Sequence, residues 1–279
     1  MISENIRKNK RKKIVNNIVF LLLCLISFGT IGMGAYNLFK TIYDSKTAGK
    51  LYADINSQIF TTDMEQIIQN QNVSYETYTN DTGENISQQE NTKNDTEGIN
   101  WDILLDINDD TKAILYIPRL NVNLPVVLGE DNQYYLSHSI DRNPSSCGTL
   151  FFDSRIKGMD DKNLIIYGHN MLNGSMFGSL DRFFENNFIE NNSNIYLIMK
   201  DKVLTYRIFS VYTTENGSST YTTRFTNDLN FKNYKKKMYE NSTIETDADI
   251  DNNSQVLTLS TCYKTGENIR TVVQAQRTD

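Results

Sequence analysis

The chain has 279 residues, with 28 Lys and Arg against 34 Asp and Glu, a formal net charge of −6 and only three cysteines. That length holds one large domain or a smaller domain with appendages. The charge is uneven: MISENIRKNKRKK at the start carries a net +5, leaving −11 for the rest. An acidic body of this kind argues against a nucleic-acid partner.

The basic cluster at 1–13 is followed by residues 14–39, IVNNIVFLLLCLISFGTIGMGAYNLF, with no charged side chain. About 20 apolar residues suffice to cross a bilayer as a helix, and flanking positive charge keeps that end in the cytoplasm. A cleaved signal peptide is the competing reading, but this apolar run exceeds the usual ~7–15 residues of a signal core and no A-x-A-like site follows it. The expectation is a single-pass anchor in the cell membrane, with a cytoplasmic N-terminus and an extracellular body. Cys24 falls inside this segment. Cys147 and Cys262 fall outside it, where a disulfide between them is the bland alternative to chemistry.

Residues 40–98 read as a juxtamembrane helix (Thr41–Phe60, with Ile42, Leu51, Ile55 and Ile59 at loose helical spacing) and then a polar stalk. From Gln69 to Gly98 the only aliphatics are Val73 and Ile86, too few to offset the entropy of ordering. From Ile99 to Asp279 the chain reads as folded. Trp101–Ile107 predicts a short helix. Ala113–Ile117, Leu124–Leu128, Gly148–Asp153 and Asn163–Tyr167 predict strands. Met176–Phe184 is helix-like. Asn194–Met199 and Val203–Tyr212 form a hairpin around Lys200–Lys202. Asp228–Glu240 predicts an amphipathic helix capped by Asp228 or Asn230, with Leu229 or Phe231, Tyr234 and Met238 as its apolar stripe. Gln255–Thr261 and Arg270–Gln276 are the last two strands. The fold class is mainly β, a closed or nearly closed barrel with peripheral helices.

Three chemically useful groups fall at strand ends. His169 follows the strongly apolar LIIY run, Cys262 ends VLTLST, and Arg270 opens the strand after it. A thiol becomes a good nucleophile when a nearby cation favours its thiolate. An imidazole can fill that role and later protonate a leaving amine. An arginine stays protonated and can stabilise a developing oxyanion. Together they describe acyl transfer through a thioester. The bland readings are a structural strand-end histidine, a small buried thiol and a surface arginine; the other histidine, His138, lies in a polar loop. A hydrolytic cysteine peptidase and a silent binding module are the alternatives in function.

At Thr258-Leu259-Ser260-Thr261-Cys262 the sequence resembles the TLxTC signature of sortases, the membrane-anchored cysteine transpeptidases of Gram-positive bacteria. YGHN (Tyr167–Asn170), the Cys262-to-Arg270 spacing, GTLFFDSR (Gly148–Arg155) and AILYIPRLNVNLPVV (Ala113–Val127) extend the resemblance over roughly residues 101–277. The helix at 228–240 and the helical segment before the barrel look like class B. The resemblance implies an eight-stranded sortase-type β-barrel, with Cys262 as nucleophile, His169 as general acid/base and Arg270 as oxyanion stabiliser. Ser260, Thr261, Asn123 and Val127 would line the substrate groove. It implies cleavage of a C-terminal sorting signal, NPxTN-like or (S/N)PxTG-like, after threonine, and transfer of the surface protein to a peptidoglycan amine. No cofactor and no metal are expected, since no dense acidic cluster is visible. Tyr263 departs from the acidic residue often found there in class B, which leaves the signal preference open. A pilin-polymerising sortase would often carry a second hydrophobic segment at its C-terminus, and this chain stops at Asp279.

Overall fold

The computed structural model describes residues 2–71, 96–185, 188–189, 193–246, 248–262 and 268–279. It separates into two units, Met1–Lys46 and Thr47–Asp279. Helix α1 (Ile2–Ile59) starts in the first and ends in the second. In the first unit, Phe20, Leu21, Leu25 and Phe28 are exposed. This is the one helix among the described residues that is long and apolar enough to cross a membrane. The stalk expected at 69–98 lies mostly outside the described residues.

The second unit is a closed barrel of eight strands: β1 (Thr111–Ile117), β2 (Val122–Val127), β3 (Leu150–Phe152), β4 (Asn163–Tyr167), β5 (Asn194–Ile198), β6 (Val203–Glu215), β7 (Val256–Cys262) and β8 (Ile269–Arg277). Their order around the barrel is β1-β2-β3-β4-β7-β8-β6-β5. The pairs β2/β3 and β4/β7 are parallel and the others antiparallel. Closure removes the exposed sheet edges that would otherwise invite pairing with another chain. Pro125 fits inside β2 because the ladder to β3 begins only at Val126, so its missing N–H costs that ladder nothing.

Apolar residues fill the barrel, among them Leu115, Val126, Phe152, Leu164, Ile166, Leu257 and Leu259. A second cluster lies between the wall and α4 (Asp228–Glu240), built from Phe209, Tyr212, Phe231, Tyr234, Met238, Val256 and Val272. Leu229 is exposed, so Phe231 is the first residue of the α4 stripe. The α4 cap is Asn227, whose side chain accepts from the Asn230 N–H at 2.9 Å, rather than Asp228 or Asn230. Trp101–Ile107 is helical as expected (α3), capped by Asn100.

Two expectations are corrected. Met176–Phe184 is not one helix: Met176 sits at φ 52°, outside the helical region, and only Leu180–Phe184 forms a 3-10 turn. The folded body also begins well before Ile99. Ala48, Tyr52, Ile55 and Ile59 make a buried stripe at the end of α1, extended by Met64 and Ile67 of α2 (Met64–Gln71). Fully burying side chains such as Ile55 and Ile59 stabilises by about 1.5–3 kcal/mol each. Backbone bonds fasten this segment to residues 96–100, with Asn100 N–H donating to Ile59 O at 2.7 Å and Thr61 N–H to Gly98 O at 2.9 Å. The predicted stripe contains Ile55 and Ile59 but not Tyr52.

Candidate active site

The three candidate catalytic positions come together because of strand pairing. β4 runs parallel to β7, with Tyr167 beside Ser260. The next residue, Gly168, donates its N–H to Ser260 O at 3.3 Å. His169 and Cys262 each lie two residues beyond that tier, on adjacent strand ends. β8 then returns antiparallel along β7, and Cys262 is in register with Arg270. The order across the rim is therefore His169, Cys262, Arg270, on three neighbouring segments. The side chain of Cys262 and residues 263–267, including Tyr263, lie outside the described residues.

His169 is half-buried, and its Nε2 lies 2.7 Å from the Leu136 carbonyl. A carbonyl only accepts, so Nε2 carries the proton and Nδ1 is left for acid/base work. The turn before His169 requires glycine: a Cβ on Gly168 would fall 2.4 Å from Leu150 Cδ2 and 2.9 Å from Phe177 Cδ2. After it, the Phe177 N–H donates to His169 O at 3.0 Å. Arg270 is half-buried, with Nη1 3.4 Å from the Ile269 carbonyl.

The four predicted groove residues divide. Ser260 is buried and its Oγ is 2.9 Å from the Tyr221 hydroxyl, so it braces the wall. Thr261 is buried, and its Oγ1 has no hydrogen-bond partner among the described residues. Asn123 is half-buried on β2; its carbonyl accepts from Asn56 Nδ2 at 3.2 Å. Val127 sits at the tier of Phe151, Tyr167 and Ser260 but has 0% exposure. Full burial in the main apolar cluster, on the face of β2 opposite Val126, leaves it no surface to offer a groove.

Behind β7 stands a network that the sequence did not announce. Tyr221 stacks on Tyr167 at 6.1 Å between ring centroids. The Tyr221 carbonyl accepts from Arg155 Nη2 at 3.0 Å. Arg155 grips buried Asp153 with two bonds of 2.8 and 2.6 Å, and the Tyr167 hydroxyl donates to the same carboxylate at 2.8 Å. Burial pushes the Asp153 carboxyl up, but the bonds from Arg155 and Tyr167 outweigh it and hold it below the ordinary value of 3.8. Burial likewise raises the Tyr167 phenol, which therefore stays a donor. A cleft of about 480 Å³ opens here, lined by Asn132, Arg155, Tyr167, Tyr221, Thr222 and the 216–219 turn. Of this network, Tyr167, Asp153, Arg155 and Ser260 lie inside motifs quoted from the sequence; Tyr221 comes from a turn 39 residues before Ser260. Among the described residues no group of His, Cys, Asp and Glu could hold a metal.

A family model described as the Sortase domain matches residues 115–278. Listeria monocytogenes sortase B is 30% identical over 173 residues, covering 61% of this chain and 70% of that protein. Staphylococcus aureus sortase B is 28% identical over 158 residues, covering 56% and 64%. Among solved structures, Clostridium perfringens sortase B superposes with a TM-score of 0.62 at 34% identity, covering 64% of this chain and 100% of that one. A Staphylococcus aureus sortase B–substrate complex gives 0.60 at 27%, covering 64% and 84%.

Proposed function

The chain belongs to the sortase family as a class B cysteine transpeptidase, and on that premise we propose how its own residues act and on what. The Cys262 thiol passes its proton to His169 Nδ1, and the resulting thiolate attacks the threonine carbonyl carbon of a C-terminal sorting signal, NPxTN-like or (S/N)PxTG-like. The electron pair moves to the carbonyl oxygen, and Arg270 donates to that oxyanion. His169 gives a proton from Nδ1 to the departing amine as the peptide bond breaks. The surface protein is then held as a thioester on Cys262. An amine of the peptidoglycan attacks, His169 takes its proton, and the thiolate leaves. Cys262 thus ends as it began, and one amide replaces another.

The observation that carries this reading is the register of β4, β7 and β8, which puts His169 and Arg270 on either side of position 262. The cleft between Tyr167 and Tyr221 lies on the Ser260 side of that position and offers aromatic and polar surface to an extended peptide. The apolar part of α1 anchors the protein, with its basic N-terminus inside the cell and the barrel outside. The sortase B–substrate complex among the similar structures is in keeping with a sorting-signal substrate.

The test incubates the full chain in detergent with quenched pentapeptides of the two signal types, with and without an amine acceptor. Intact mass is read for an acyl adduct on Cys262. An adduct that clears faster with amine supports transpeptidation. Clearance indifferent to amine would make the protein a peptidase, and no adduct with either peptide type would remove the proposed signals.

A further inference from the structure

The end of α1 reaches into the scaffold of the histidine. Tyr52 is 5% exposed, and its hydroxyl lies 3.3 Å from both the Gly148 carbonyl and Thr149 Oγ1. Thr149 passes this on in two ways. Its Oγ1 donates to the His138 carbonyl at 2.9 Å, and its N–H donates to the Tyr135 carbonyl at 2.9 Å. Between those two acceptors lies Leu136, whose carbonyl receives the His169 Nε2 proton at 2.7 Å. Gly148 lies beside the ring edge: a Cβ there would be 3.2 Å from His169 Cδ2. The turn is anchored from its other side as well, by the Tyr135 hydroxyl donating to Asp110 Oδ2 at 2.5 Å.

We propose that Tyr52 is a positioning residue for His169. It fixes the 135–149 loop at the height where the Leu136 carbonyl holds Nε2–H, and so presents Nδ1 to the reacting groups. The proposal rests on the reading of His169 as the acid/base. A hydroxyl removed from Tyr52 takes away the tie from α1 to Thr149 Oγ1 and the Gly148 carbonyl. The loop then drifts and the imidazole loses its fixed orientation, while the peptide cleft 216–222 is untouched. Small misplacements of a reacting group cost far more in rate than in binding. The phenol is suited to this, because burial raises its ionisation well above the ordinary range and keeps the O–H in place.

The test uses the full chain in detergent and three variants, Tyr52→Phe, Ile55→Val and His169→Ala, with kcat, KM and Tm for each. Ile55→Val loosens the same buried stripe without removing a hydrogen bond. Tyr52→Phe is expected to lower kcat about 10-fold with KM within about twofold, and Ile55→Val to leave kcat near wild type at an equal or larger loss of Tm. Wild-type kcat in Tyr52→Phe overturns the proposal. So does a kcat loss that tracks Tm equally in both variants, which would make Tyr52 merely structural. Full activity in His169→Ala is a different failure: it removes the acid/base reading itself.

Discussion

Gly148→Ala is the sharpest probe of how the rim is built. Gly148 has φ +60°, and a Cβ there would lie 2.5 Å from Tyr135 O, 3.0 Å from Leu136 O and 3.2 Å from His169 Cδ2. The left-handed backbone costs an alanine about 1–2 kcal/mol. The overlap with two carbonyls adds about 1–3 kcal/mol, because backbone cannot swing aside as a flexible side chain would. At about 2–4 °C per kcal/mol for a domain of this size, the melting temperature falls by roughly 4–20 °C. Gly217→Ala provides the control, since it shares the positive φ (+79°) but has nothing within 4 Å. It should show only the backbone cost, a fall of about 2–8 °C. Thermal melts and peptide turnover of both variants give the comparison. If Gly148→Ala melts with Gly217→Ala and turns over peptide at the wild-type rate, the close approach around His169 is not the constraint argued here.

Cys262→Ala should abolish adduct formation and transfer while leaving Tm within a few degrees; transfer by that variant, checked by mass, would end the thioester mechanism. Arg270→Lys should lose most of kcat, since a point charge lacks the planar fork of donors; a near-normal rate would make Arg270 a structural residue. Asp153→Asn tests the wall behind β7. The folded-state carboxyl is held below 3.8, so its stabilising contribution is present above that value and is lost as pH falls through the depressed one. The Tm gap between wild type and Asp153→Asn should therefore be full near pH 6 and shrink toward pH 2. A gap constant across that range would refute the assignment.

Much of the barrel was legible because its strands are short runs of β-branched and aromatic residues between turn signals; Asn163–Tyr167 was bounded to the residue. The helix at 228–240 was equally plain from its stripe. The closeness of the three candidate positions follows from a related feature: they lie at the ends of apolar runs that pair as β4, β7 and β8 and so share one rim. What was hidden depends on which runs pair. Nothing local to Tyr221 says that it will brace Ser260, and nothing local to Val127 says which way it will face. Tyr52 was missed because it follows residues of membrane character and precedes a polar stretch, so its partners at Gly148 and Thr149 lie 96 and 97 residues away. Met176 defeated the helical pattern through one backbone angle that apolar spacing does not encode.

The parallel seam between β4 and β7 also bears on how the protein comes to be folded. Its side-chain bond from Thr258 to Asn163 joins residues 95 apart, whereas hairpins such as β5/β6 and β7/β8 form from neighbours in the chain. Loop-closure entropy makes such distant pairings slow. Hairpins can zip early, but the seam must wait for the whole intervening segment to be made and collapsed. Cys262 and His169 lie on opposite sides of that seam. On the reading of Cys262 as nucleophile and His169 as its base, the two meet only when that seam closes, and a chain in which it is still open holds a thiol with no partner to activate it.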